Sequence, residues 1–97
     1  MDALKAAPEI TTLMMENERV RVFSVRFKPG QKTIMHSHPD NVVYALNAGK
    51  LKIILPDNKS NEVNLKAGQA IWMEAGQHAV ENPGKTEVNN IVIELKK

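Results

Sequence analysis

Turn signals break this chain at short, regular intervals, and that punctuation limits its fold more than any other feature. Pro29-Gly30, Asn47-Ala48-Gly49, Pro56-Asp57-Asn58, Lys66-Ala67-Gly68, Ala75-Gly76 and Pro83-Gly84 separate short runs that alternate in polarity or are rich in Val and Ile. Short β-competent runs between evenly spaced turns predict an all-β sandwich or barrel. Strands are expected at Ile10–Met15, Arg19–Phe27, Thr33–His38, Val42–Asn47, Lys50–Leu55, Glu62–Leu65, Ala70–Met73, Ala79–Asn82 and Val88–Leu95. Helix-favouring composition is confined to Met1–Ala7, and Pro8 ends it.

Alternation predicts which faces are buried. Leu51, Ile53 and Leu55 share one side of their strand, as do Ile91, Ile93 and Leu95, so both sets are expected to face the core. Between Val22 and Phe23 the apolar parity shifts, which fits a bulge, a bend or a strand covered on both faces. A chain of 97 residues has room for one core, so residues 1–97 are read as one domain.

Composition removes several function classes. Hydrophobic residues are 42% and charged residues 25%, ordinary values for a chain that folds. The 13 Lys and Arg are scattered against 11 Asp and Glu, and the aromatics are Phe23, Phe27, Tyr44 and Trp72 alone. Neither a basic block nor a basic-aromatic stacking surface exists, so no nucleic-acid partner is expected. No segment is apolar and long enough for a bilayer or a secretory signal, so no membrane partner is expected and the cytoplasm is the expected location. With no cysteine, any metal must be held by nitrogen or oxygen. Lys96-Lys97 reads as a solvated tail.

Attention therefore falls on the three histidines. In an extended strand His36 and His38, two residues apart, point to the same face and offer two imidazoles to one ion. Taken alone, the pair is as readily a surface accident, and His78 taken alone a turn residue. The surrounding frame is more specific. Gly30, five residues, His36-Ser37-His38, three residues, Val42, six residues and Gly49 form one motif, over about 30–49; Gly68, five residues, Glu74-Ala75-Gly76, Gln77, His78, three residues and Asn82 form a second, over about 68–82.

These two motifs resemble those of the cupin superfamily, with Val42 where the first motif usually has a metal-binding Glu, Glu74 where the second usually has Pro, and one spacer a residue short. The resemblance implies a double-stranded β-helix, or jelly-roll, barrel in which the two histidine-bearing strands are neighbours and His36, His38 and His78 ligate one divalent transition metal. Iron is the first expectation; manganese, nickel, copper and zinc are also compatible with imidazole. Asp40, Asn41 and Glu74 are open candidates for a fourth, oxygen ligand, and Tyr44 and Trp72 are candidate pocket walls. Three facial imidazoles leave positions for a chelating small-molecule substrate and dioxygen, which points to a mononuclear non-haem dioxygenase. A non-catalytic ligand-binding module, or a metal-assisted isomerase or dehydratase, are the alternatives. No catalytic acid or base can be assigned. The resemblance further suggests a homodimer, with Ile10–Met15 as an edge-adding strand.

Overall fold

The computed structural model describes residues 1–96; Lys97 lies outside the described residues. A short helix α1 (Ala3–Ala6), capped by the Asp2 carboxylate on the Lys5 amide, precedes nine strands. They are β1 (Thr11–Glu16), β2 (Val20–Phe27), β3 (His36–His38), β4 (Asn41–Ala45), β5 (Gly49–Ile54), β6 (Ser60–Leu65), β7 (Ala70–Met73), β8 (Gly76–Glu81) and β9 (Val88–Leu95). The strands form two antiparallel sheets, in the orders β1-β2-β9-β4-β7 and β3-β8-β5-β6. This is the all-β jelly roll expected from the turn spacing and the motifs.

The strand expected at Thr33–His38 is shorter, three residues, because Thr33 turns inward. Its hydroxyl accepts from the Val80 amide at 2.9 Å and its own amide donates to the Val80 carbonyl. The strand expected at Ala79–Asn82 begins earlier, at Gly76, so that Gly76 and Gln77 pair with His38 and Ser37. The parity shift in β2 is not a bulge: all eight residues pair in register with β9, and the ladder irregularity lies in β1, between Leu13 and Met15. Val20 and Val22 lie on the outer face of β2 and Phe23, Val25 and Phe27 on the inner one, in the core, so the shift marks apolar residues on both faces. Lys96 is not a free tail, since its ammonium pairs with Glu16.

One expectation is reversed. On β9 the residues facing the interior are Val88, Asn90, Val92 and Glu94, whereas Ile91, Ile93 and Leu95 lie on the outer face. The outer face of the five-stranded sheet is itself apolar: Met15, Val22, Ile93, Val42 and Trp72 stand in one registered row across all five strands. Alternation finds two faces but cannot say which is inside when the outer one is also apolar. The outer face of the other sheet is different, with Lys50 beside Asn64, Lys52 between Glu62 and Glu81, and a Lys50–Glu62 ion pair at 3.7 Å.

The core lies between the sheets. Ala3, Ala7, Ile10, Phe23, Val25, Phe27, Leu51, Val80 and Val88 form its main cluster, so α1 and the residues after it close one side of the barrel. The Asp2 carboxylate pairs with Arg21 at 3.0 Å and the Met1 carbonyl accepts from the Ser37 amide, which fix this N-terminal cover in place.

Candidate metal centre

β3 and β8 are sheet neighbours, and their register sets His36 directly opposite His78 and Ser37 opposite Gln77. Two-residue alternation then turns His38 to the same side as His36. The His36 and His78 ring centroids are 4.8 Å apart, and those of His38 and His78 are 4.2 Å apart. Three imidazoles on adjacent vertices of an octahedral ion, with metal–nitrogen bonds of about 2.1 Å, put their centroids about 4.6 Å apart. The spacing therefore suits one ion, although no three His, Cys, Asp or Glu side chains among the described residues already converge as a finished metal cage.

The backbone prepares two of the rings. His36 Nδ1 lies 2.9 Å from the Ile34 carbonyl, which accepts from an Nδ1–H and leaves the Nε2 lone pair bare, the tautomer a metal ligand needs. Two partners compete for His38 Nδ1. The Pro39 carbonyl at 3.0 Å accepts from it and bares Nε2, while the Asn41 amide nitrogen at 3.1 Å donates to it and would leave the proton on Nε2. Burial favours the neutral form of His78 and His36. His78 is held down to about pKa 3, first by desolvation and then by the neighbouring His38 and His36 charges. For His36 desolvation also lowers the pKa, against the opposing effect of the Ile34 hydrogen bond. Neutral imidazole is the ligating form, so the donor set fits a divalent ion at neutral pH.

The three histidines line a cavity of about 80 Å³ that runs into the barrel between the sheets. Its wall is largely apolar, with Phe23, Val25, Phe27, Val43, Leu51 and Val92 prominent. Tyr44 and Trp72 do not belong to it. They are 41% and 52% exposed, on the outer face of β4 and β7, because the inward parity of β4 belongs to Asn41, Val43 and Ala45. For the same reason Val42 faces out, and the inward side chain next to the histidines is Asn41.

The other oxygen candidates are engaged elsewhere. The Asp40 carboxylate accepts from the Ala75 amide at 2.7 Å and joins two loops, and Glu74 is exposed, accepting from the Trp72 indole at 3.3 Å. Motif residue Asn82, fully buried, is structural: its Nδ2 donates to the Phe27 and Thr86 carbonyls and its Oδ1 accepts from the Gly84 amide.

Four polar residues of the cavity are not apparent from the motifs, and one of them, Thr11, donates its hydroxyl to the Ala7 carbonyl. Thr33 stands 3.4 Å from His36 Nδ1. Glu94, on β9 directly opposite Asn41 of β4, is buried and clamped by Arg21 at 2.6 Å. Asn90 lies four residues deeper on β9. The Asn90-Val92-Glu94 alternation is visible in the sequence, but the apolar Ile91-Ile93-Leu95 set beside it is the stronger core signal.

Comparison with known proteins agrees with this architecture. Residues 23–94 match the family model of the cupin domain, and the chain belongs to that family. It is 36% identical over 89 residues to the β-alanine degradation protein BauB of Pseudomonas aeruginosa, covering 90% of this chain and 93% of that one. Among solved structures it is similar to a cupin domain from Bordetella pertussis Tohama I, with 37% identity, a TM-score of 0.83, and 91% and 93% of the two chains covered. A cupin superfamily protein from Desulfitobacterium hafniense shares the fold at 16% identity, with a TM-score of 0.69 over 91% of this chain and 77% of that one.

Proposed function

We propose that this cupin holds one divalent transition metal, iron first among the imidazole-compatible ions, through His36, His38 and His78, and acts in the cytoplasm as a mononuclear non-haem dioxygenase on a small chelating substrate. The observation that carries the reading is the gathering of three imidazoles at one cavity, with the Ile34 carbonyl positioned to hold His36 in the ligating tautomer. When bound, such an ion supplies open cis positions at which an anionic donor and dioxygen meet. The protein's part is positioning and exclusion: the apolar wall keeps water from the reacting atoms, and Asn41 offers a polar contact beside His38.

The cavity admits only small molecules. The Pseudomonas aeruginosa relative is named for β-alanine degradation, and a three-carbon amino acid is a small carboxylate of suitable size, so β-alanine and its three-carbon derivatives belong in the substrate panel with thiols, diketones and catechols. The test is oxygen uptake after anaerobic loading with iron(II), manganese(II), nickel(II) or copper(II), in wild type and His36→Ala. Uptake above that of the variant for some pairing of metal and compound is expected. Equal uptake throughout would remove the dioxygenase reading.

One observation favours a non-catalytic binding module instead. The one carboxylate in the lining of the cavity, Glu94, is clamped by Arg21, which leaves the cavity without a free general base. The same clamp weighs against an isomerase or dehydratase.

We further propose that the protein is a homodimer joined through the outer face of its five-stranded sheet. Five strands at about 4.8 Å spacing make a face roughly 20 Å wide, on the scale of the largest apolar patches proteins expose, which are often functional. Its uncharged row from Met15 to Trp72 is complementary to itself, as a two-fold interface requires, while the opposite sheet presents Lys and Glu to water.

A further inference from the structure

Glu94 is a buried carboxylate of which one oxygen is left unused. An arginine facing a carboxylate commonly gives one N–H to each oxygen. Here both Arg21 donors, Nε at 3.0 Å and Nη2 at 2.6 Å, go to Oε1, and Nη1 is taken by Asp2. Among the described residues no donor reaches Oε2, although the Glu94 side chain is only 4% exposed.

Oε2 is not sealed in. Of the buried side-chain nitrogens and oxygens among the described residues, only Asn90 Oδ1 lacks both a partner and accessible surface, so Oε2, equally without a partner, retains surface. Glu94 has the inward parity of β9 and lines the cavity between the sheets, so that surface opens where a ligand can reach it. Its charge is unmatched as well. Asp2 and Glu94 share one guanidinium, and the lining of the cavity holds no Lys or Arg, which leaves one negative charge over. A buried carboxylate in this state is costly unless a cationic donor meets it.

From this arrangement we infer that Glu94 receives the ammonium group of a short ω-amino acid whose carboxylate faces the histidines. The inference rests on the cavity holding a metal and a small ligand, as proposed above, and adds the ligand's charge pattern. The histidine end suits an anion, because imidazoles leave the charge of a divalent ion uncompensated. The Glu94 end suits a cation with hydrogens to donate. The two ends are close: Glu94 stands directly opposite Asn41 in the β4–β9 ladder, and the Asn41 amide nitrogen is 3.1 Å from His38 Nδ1. Val43 and Val92, paired in the same ladder and lining the same cavity, offer an apolar wall to the methylenes between the two charges. A cavity of about 80 Å³ admits only a short chain there.

The test titrates zinc-loaded protein calorimetrically near neutral pH with two matched sets of acids, while zinc content is measured on the same samples. One set is 3-aminopropanoate, 3-hydroxypropanoate and butanoate; the other is 4-aminobutanoate, 4-hydroxybutanoate and pentanoate. Within each set an ammonium, a hydroxyl and a methyl occupy the same place. In at least one set the amino acid should bind roughly ten- to a hundredfold more tightly than the methyl acid, the gain of a charge-assisted hydrogen bond, with the hydroxy acid between them. Glu94→Gln, which keeps the shape and removes the charge, should bind the methyl acid as wild type does and lose the preference. Glu94→Asp, which keeps a charge for Arg21 but draws it back by one methylene, should hold zinc and lose most of the preference, and it decides the matter where the Gln variant does not fold.

Methyl acids that bind as tightly as the amino acids in both sets would overturn the role of Glu94 and leave the metal and small-ligand reading standing. Hydroxy acids that equal the amino acids would overturn it too, because charge would then count for nothing. Full preference retained in either Glu94 variant would have the same effect. Failure of every acid to bind a wild type that carries zinc would overturn the small-ligand reading along with the inference.

Discussion

His78 shows most plainly how burial sets chemistry in this protein. In the unfolded chain it takes up its proton near pH 6.5, and in the fold not until about pH 3, because the ring is desolvated and faces two other imidazoles. Between these values the unfolded state binds the extra proton. The contribution to stability is therefore complete above about pH 6.5 and is lost as pH falls towards 3. His36, also lowered, acts in the same direction, while Asp2, Glu16 and Glu87 keep their contributions until pH falls through ordinary carboxylate values and lose them below. Metal-free protein should thus lose stability between pH 7 and 5, read as a falling urea midpoint, and His78→Gln should flatten that slope. A wild-type midpoint that does not move over this window would contradict the burial argument. Arg21 makes a second prediction. With its side chain largely buried between Asp2 and Glu94, Arg21→Ala leaves the Glu94 carboxylate buried without its partner and should cost about 3–5 kcal/mol by chemical denaturation.

At the scale of elements, nine strands are legible in the sequence because turn residues punctuate them, and the inner face of β5 follows from alternation, whereas the parity shift in β2 leaves its faces open until the sheet is assembled. The face of β9 does not, since Ile91, Ile93 and Leu95 make the stronger apolar set and only the assembled sheet shows that they lie outside. The site divides in the same way. His36, His38 and His78 can be found from motif spacing, whereas Thr33, Asn90 and Glu94 depend on which strands meet across the barrel. The outward turn of Val42 follows from where β4 begins, a matter of one residue in a loop. Close approach of strands is equally hidden. A Cβ added at Gly49 would lie 2.5 Å from Val88 Cγ2, and Val88 is β-branched and fully buried. Gly49→Ala should therefore lower stability by about 1–3 kcal/mol, the usual cost of overpacking. Adding Val88→Ala should recover part of the loss in a double-mutant cycle, and strictly additive costs would count against the contact.

For the whole molecule, the two outer faces make opposite statements about water. The charged face of the four-stranded sheet suits solvent, whereas the Met15–Trp72 row suits a second copy. Wild-type protein should sediment as a dimer at tens of micromolar, and Val42→Lys, at an inner position of the row, should shift it to monomer without moving the histidines. A wild-type monomer at that concentration would remove the interface. The central claim is that the fold brings three histidines, up to 42 residues apart in sequence, together on one ion. Elemental analysis of protein purified without a histidine tag tests it most directly. About one divalent transition metal per chain is expected in wild type, and almost none when His36, His38 and His78 are all replaced by Ala; unchanged stoichiometry in that triple variant would contradict the account.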